Sequence, residues 1–340
     1  MKALVTGGGG FLGGAIIRRL LERGHSVRSF SRGTYPELQS LGVELFQGSL
    51  DDAKAVEEAC RDCEVVFHIA AKAGIWGDYS EYHQTNVRGT ETVIAGCRSL
   101  GISRLVYASS PSVVFGGHDM EGLDESVPYP QHYKAAYPAT KAAGERLILA
   151  ANDDQLATVS LRPHLIWGPG DNHLVPGIIA RGRAGKLRKI GDSPRLVDHT
   201  YIDNAAEAHI LAADRLSPGS RISGRVFFIS QGQPLPLWEF INRILKSAGL
   251  PPVTRTISPH LAYTAGWLCE IVYRTLRLGG EPPMTRFLAE ELSTRHWFNI
   301  TAARQELGYQ PKISTEEGFK RLEEWLRKEG HNEYQQQRTG

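Results

Sequence analysis

The chain opens on a stretch that leaves few folds open to it, KALVTGGGGFLGGAIIRRL from Lys2 to Leu20. Ala3, Leu4 and Val5 read as a buried strand, and Phe11, Leu12, Ile16, Ile17 and Leu20 as the apolar face of a helix. Between them stand four glycines, Gly7 to Gly10, with Gly13 following three residues into the helix. Glycine permits φ > 0 in such a turn and lets a ligand come close to the backbone. The N–H groups at a helix start carry partial positive charge, so a pyrophosphate is the ligand this turn suits. Two registers overlap, Gly8-x-Gly10-x-x-Gly13 and Gly7-x-x-Gly10-x-x-Gly13. Such a turn can also serve only tight strand–helix packing. The strand before it and the helix after it favour dinucleotide binding.

The alternation continues along the chain. Residues 26–31, 43–47, 64–68, 105–109 and 158–162 read as strands, with helices at 51–59, 79–100 and 135–151 among them. This predicts an α/β fold, a Rossmann-type doubly wound parallel sheet with helices on both faces. Past Pro163 the regularity breaks. Helical patterns at 174–182, 204–215, 237–248, 260–277 and 315–328 are separated by prolines and by short strands near 196–201 and 225–229. The expected organisation is a dinucleotide-binding domain over 1–162 and a smaller, mixed substrate-binding region over 163–331, with segments returning to the first. A polar tail over 332–340 ends the chain.

Bulk properties narrow the partners. A net charge of +2 gives no electrostatic reason to expect nucleic acid. The four cysteines, Cys60, Cys63, Cys97 and Cys269, form no disulfide framework. Cys60 and Cys63 have CxxC spacing but lack a second pair or a histidine cluster, so no metal is expected. The opening strand leaves no sign of a signal peptide, and a cytoplasmic protein is expected.

The end of the second strand speaks to cofactor choice. NAD-binding domains place an acidic residue there for the ribose 2′-hydroxyl. This chain has Ser31 and Arg32, and no acid before Glu37. A serine with an arginine suits a 2′-phosphate, so NADP is preferred, with NAD as the alternative.

Chemistry is expected from YPATK, which sets Tyr137 and Lys141 at i and i+4 on one helix face. An ammonium beside a phenol favours the phenolate, so the pair can give and take a proton as a carbonyl gains or loses hydride. The fifth strand ends in YASSPS, from which Ser110 is chosen to hydrogen-bond the substrate oxygen, with Ser112 as the alternative.

Taken together, TGGGGFLGG, HIAA (68–71), TNVRGT (85–90), YASS, YPATK, LRPHLIWGPGD (161–171) and TYIDNAAEAH (200–209) resemble the extended short-chain dehydrogenase/reductases, most of all their 3β-hydroxysteroid dehydrogenase group. The resemblance covers nearly the whole chain. It implies Ser110, Tyr137 and Lys141 as the catalytic triad. It puts Gly7, Gly10, Phe11, Leu12 and Gly13 on the pyrophosphate, and Ala70, Ala71 and Lys72 along the cofactor path. Asn86 would brace the fourth-strand exit, and Pro163 and Ile166 would flank the nicotinamide. The group often carries Asp after the third strand; Gly48-Ser49-Leu50 stands here, leaving Ser49 and Leu50 for the adenine. A homodimer through the helices at 79–100 and 135–151 is also implied.

Two branches of the group resemble this chain further, the bacterial 2-alkyl-3-oxoalkanoate reductases and the sterol-4-carboxylate 3-dehydrogenases. Both imply a 3-keto or 3-hydroxy group β to a carboxylate in a large apolar molecule. NADPH-dependent reduction of a 2-alkyl-3-oxoalkanoate is favoured, with oxidative decarboxylation of a carboxysterol next. A nucleotide-sugar epimerase or dehydratase and a non-catalytic NADP-binding regulator are the remaining alternatives. Lys72, His164, His173, Arg183, Arg188 and Arg195 are candidate cations for the carboxylate. The helix at 260–277 is unusually apolar. Packing on the core or a partner subunit is the first reading; peripheral membrane contact, or a lid over the substrate, is the second.

Overall fold

The structure, a computed structural model, describes the backbone of residues 1–339 and the side chains of residues 1–328. Its main layer is a parallel sheet of seven strands: β1 (Lys2–Thr6), β2 (Ser26–Ser31), β3 (Glu44–Gln47), β4 (Val65–His68), β5 (Arg104–Ala108), β6 (Ala157–Pro163) and β7 (Arg225–Ile229). They lie in the order β7-β6-β5-β4-β1-β2-β3. Ala3 pairs with Val27 on one side and Val65 on the other, so β1 is central and its apolar run is buried on both faces. Ala3 and Val5 pack with Ile16, Ile17 and Leu20 of the helix Phe11–Glu22. Leu4 faces the other way, onto Val56, Val93 and Cys97. The strand order reverses between β1 and β4, which opens a crevice at their carboxyl ends.

Two later segments lie in this layer. β7 adds an edge strand beside β6, and the helix Ile202–Arg215 shares the core cluster of the helix Phe11–Glu22. The helices Leu174–Arg183, Leu237–Ser247 and Pro259–Thr275 fall close to the expected positions, whereas Thr315–Thr339 starts where expected and its backbone runs on as helix through most of the stretch read as a tail. The polar tail expected over 332–340 has its side chains outside the described residues.

Two differences from the sequence reading bear on the site. The expected single helix over 79–100 is interrupted by a π-helical turn, Gln84–Arg88, between Tyr79–His83 and Gly89–Ser99. A second sheet of four short strands joins Leu235–Pro236, Leu196–Val197, His296–Phe298 and Met120–Leu123. Of these only the stretch near 196–201 was expected as a strand; the others are short, and their pairing partners lie far apart in the chain.

Candidate active site

The glycine turn forms the floor of the crevice. Gly7 has φ +70°, which a side chain would strain. A Cβ on Gly13 would fall 2.2 Å from the Gly7 carbonyl oxygen, and one on Gly10 would come within 3.2 Å of the same atom. Of the two overlapping registers, Gly7, Gly10 and Gly13 line the crevice. Gly8 and Gly9 instead make room for Ser29 and for the Tyr35 ring. The helix that follows has Gly10 as its N-cap, no side-chain cap and no acid in its first turn. Its N–H groups are therefore available to an anion.

β4 ends against this turn through a buried polar chain. The Thr6 hydroxyl lies 2.8 Å from His68 Nδ1, and His68 Nε2 lies 3.0 Å from Thr90 Oγ1. Thr90 in turn donates to the Asn86 carbonyl at 2.8 Å. Burial, helped by the Lys141 charge, pushes His68 down to about 3, so the ring is neutral. Thr6 Oγ1 also accepts from the N–H groups of Ile69 and Ala70, which fixes the strand exit. Asn86 stands in the π-helical turn, where its Oδ1 accepts from Lys72 N at 2.7 Å and its Nδ2 donates to the Lys72 carbonyl and to Thr140 Oγ1. A Cβ on Gly144 would lie 2.6 Å from the Asn86 carbonyl, so the helix Ala136–Ala150 runs hard against that turn.

That helix and the end of β5 bring Ser110, Tyr137 and Lys141 into the same crevice, of about 950 Å³. Ser110 caps a short 3₁₀ turn, Pro111–Val114, and its Oγ accepts from Ser112 N at 3.2 Å and Ser112 Oγ at 3.0 Å. Ser112 thus sits behind Ser110 and does not line the crevice. Burial raises the Tyr137 phenol above its usual range, opposed by a hydrogen bond with Ser110 and aided by the Glu291 carboxylate. Lys141 is buried, donates to the Ala108 carbonyl at 2.6 Å and lies 4.0 Å from the Tyr107 ring centroid. Burial brings its ammonium down to about 7. Lys141 thus reaches the Ala108 carbonyl, while desolvation favours the protonated form of Tyr137.

The same helix carries Glu145, wholly buried, whose Oε1 lies 2.6 Å from Arg162 Nη2. Ser160 and Tyr129 also donate to its carboxylate, at 2.8 and 2.7 Å. This pair ties the helix to β6 beneath the reacting groups.

Of the other residues expected to meet a cofactor, Phe11, Leu12, Ser31, Arg32, Ser49, Leu50, Ala70, Ala71, Pro163 and Ile166 line the crevice. Lys72 and Asn86 do not. The Lys72 side chain turns away to pair with Glu81 at 2.6 Å, and Asn86 works from behind the wall. Arg32 is exposed, and no carboxylate pairs with it among the described residues. Tyr35, Leu165, Asp171 and Asn172 also line the crevice and were missed. Asp171 had a legible signal, an acid just ahead of a helical pattern. Its carboxylate accepts from the N–H groups of His173, Leu174 and Val175. Leu165, at φ +40°, had none.

The candidate cations fare differently. His164 is buried 2.6 Å from His296, and burial holds it well below its ordinary range, so it is neutral and no partner for a carboxylate. Arg188 donates to the Gly185 and Leu187 carbonyls. Arg183 and Arg195 line other cavities, and His173 alone of the six lines the crevice. Among the described residues no group of three His, Cys, Asp or Glu side chains could hold a metal.

Comparison with known proteins agrees with this geometry. A family model described as 3-beta hydroxysteroid dehydrogenase/isomerase family matches residues 4–259. A 2-alkyl-3-oxoalkanoate reductase of Stenotrophomonas maltophilia is 54% identical over 324 residues, 95% of this chain and 98% of that protein. A decarboxylating sterol-4-alpha-carboxylate 3-dehydrogenase of Mus musculus is 33% identical over 325 residues, 94% of this chain and 89% of that protein. The structure of a Thermus thermophilus UDP-glucose 4-epimerase in complex with NAD superposes with a TM-score of 0.73 at 24% identity, covering 96% of this chain and 99% of that one. At that identity the likeness concerns the fold. The chain belongs to the 3-beta hydroxysteroid dehydrogenase/isomerase family of extended short-chain dehydrogenase/reductases, and it is an oxidoreductase acting on CH–OH groups.

Proposed function

We propose that the protein reduces a long-chain 2-alkyl-3-oxoalkanoate to the 3-hydroxy acid with NADPH. The observation that carries this reading is the single crevice that holds the Gly7–Gly10–Gly13 cradle together with Ser110, Tyr137 and Lys141. The substrate class is supported by relatives of that name, 54% identical in Stenotrophomonas maltophilia and 48% in Shewanella oneidensis. In this reading residues 1–162 hold the cofactor and 163–331 shape the pocket for the apolar acid. A homodimer through the helices Gly89–Ser99 and Ala136–Ala150 is part of it, and a monomer at micromolar concentration by light scattering would remove that part.

The residues fit the cofactor. An uncapped helix start over glycines that admit no Cβ suits the pyrophosphate, and Ser31 with the unpaired Arg32 suits a 2′-phosphate. NADPH, when bound, supplies hydride to the ketone carbon. Tyr137, kept protonated by burial, donates its phenolic proton to the ketone oxygen while Ser110 hydrogen-bonds that oxygen. Lys141, anchored on Ala108, holds the ribose side of the crevice and offers a positive charge as the tyrosinate forms. His68 and Asn86 touch neither partner and keep β4 and the catalytic helix in register.

The test is Tyr137→Phe, assayed by nicotinamide absorbance with a synthetic 2-alkyl-3-hydroxy acid in the oxidative direction. Turnover should fall by about 10²–10⁴-fold while NADPH still binds. Unchanged turnover would end the assignment of Tyr137. A wild-type protein that binds NADPH and turns over neither this acid nor a carboxysterol would favour a regulator.

A further inference from the structure

Past the reacting groups the crevice is bordered by Asp171, Asn172, His173 and Leu174, none of which the reduction itself uses. Gly168 and Gly170, at φ +148° and +82°, turn the chain after Trp167, and Asp171 N donates to the Gly168 carbonyl at 3.2 Å. The Asp171 carboxylate then accepts from the N–H groups of His173, Leu174 and Val175, at 2.8, 3.2 and 2.9 Å, and so starts the helix Leu174–Arg183. These bonds occupy N–H groups that a helix start otherwise leaves free. They also pin the His173 backbone. Its ring is exposed, lines the crevice and makes no hydrogen bond among the described residues.

Charge and position give this imidazole a task. Among the described residues, three side chains able to carry positive charge line the crevice: Arg32, Lys141 and His173. Arg32 follows β2 and His173 follows β6, and the sheet order β7-β6-β5-β4-β1-β2-β3 sets them at opposite ends. Arg32 therefore stands where the adenosine ribose of a dinucleotide lies. Lys141 is held by the Ala108 carbonyl at 2.6 Å. His173 is on the side of Ser110, Pro163 and Ile166, which follow the neighbouring strands β5 and β6. A carboxylate on the carbon next to the ketone has to lie near Ser110 and Tyr137, because these hold the ketone oxygen. An anion taken out of water there needs a donor. Asp171, the one acid lining the crevice among the described residues, has its carboxylate bound to the helix start.

We propose that His173 binds the substrate carboxylate, its ring N–H donating to a carboxylate oxygen while Ser110 and Tyr137 hold the ketone oxygen. The assignment rests on the 2-alkyl-3-oxoalkanoate reading and supplies the group in the crevice that recognises the acid. Two points of attachment, one at Ser110 and Tyr137 and one at His173, orient the ketone carbon for hydride. An uncharged ketone of the same chain length has only the first of them.

The experiment compares a synthetic 2-alkyl-3-hydroxy acid with its primary amide, assayed by nicotinamide absorbance in wild type, His173→Phe and His173→Lys. The amide keeps both chains and the reacting alcohol and lacks only the charge. His173→Phe keeps a ring and removes both nitrogens. It should raise KM for the acid about tenfold or more, change kcat little and leave KM for the amide where it was. His173→Lys, which restores a donor with a charge, should bring KM for the acid back toward wild type. The His173 side chain makes no cap bond, so neither variant disturbs the helix start, and NADPH binding by fluorescence titration should be the same in all three proteins. Equal losses on acid and amide, or a KM for the acid that ignores His173→Phe, overturn the assignment and leave the reductase reading standing. A wild type that turns over neither compound ends that reading and this assignment with it.

Discussion

The crevice and the outer helix depart from the ordinary layout of a soluble protein in opposite directions. Around the crevice, charged and polar groups are inside and held: Glu145 by Arg162, Lys141 by the Ala108 carbonyl, the neutral His68 by two threonines. On the helix Pro259–Thr275, large apolar groups are outside and touch nothing that covers them. The contrast teaches where function is to be sought, because folding stability alone would produce neither arrangement. Buried charge is tolerated only where partners compensate it, and exposed apolar surface is kept where something else will cover it.

Removing one half of a buried pair tests the first side of the contrast most severely. Glu145→Ala leaves the Arg162 guanidinium buried without its carboxylate, and should cost about 3–5 kcal/mol of stability in denaturant unfolding. Glu145→Gln with Arg162→Met, which removes both charges, should recover most of that loss. If the single variant is as stable as wild type, the crevice is not held by its charge pairs.

Much of that crevice was legible in the sequence, for a local reason. The glycine turn, Ser110, Tyr137 and Lys141 are placed by strand ends and by one helical repeat, so spacing alone brings them to one face. What could not be read depends on contacts between distant segments. His164 was a plausible cation until His296, from a strand 132 residues on, buried it as a neutral partner. Lys72 was turned from the cofactor path by Glu81. The π-helical turn at Gln84–Arg88 leaves no mark in hydrophobic spacing; it shows only as Asn86 reaching back to the Lys72 backbone. For the helix at 260–277 the sequence gives apolar content but not direction, because Ala262 and Gly266 pack inward through their smallness.

Among the described residues Arg32 is the one charge of the crevice rim that stands unpaired, and it sharpens the comparison by being an exception awaiting a ligand. Arg32→Ala should raise KM for NADP about tenfold and leave KM for NAD nearly unchanged. Equal effects on both cofactors would mean that Arg32 reads no 2′-phosphate.

A smaller effect is expected at Glu291, where a carboxyl is pushed up to about 7 by burial and adds to the rise of the Tyr137 phenol. As an acid whose folded value is raised, it binds more protons folded than unfolded between its usual range and about 7, so it weakens the fold as pH rises through that window. Glu291→Gln should flatten that decline in thermal melts. It should also move the alkaline limb of the reduction rate down by roughly 0.3 of a pH unit, the size of one screened charge nearby. A limb that moves up would mean the carboxylate supports the phenolate instead.

The smallest expected change is the most telling for the outer helix. Leu268→Asp puts a charge in place of a leucine, a substitution that in the neighbouring helix Leu237–Ser247 would ruin a core: Leu245 there is 1% exposed. At Leu245 the loss should exceed about 3 kcal/mol, since a carboxylate would be buried without a partner. At Leu268, 51% exposed on a helix whose inward stripe is Ala262, Gly266 and Glu270, the folded and unfolded chains solvate the new charge almost alike. Its melting curve should therefore lie within about 0.5 kcal/mol of wild type. The two leucines are alike in sequence, and a large cost at Leu268 would mean that the helix is covered by its own chain in solution and that its apolar face belongs to the core.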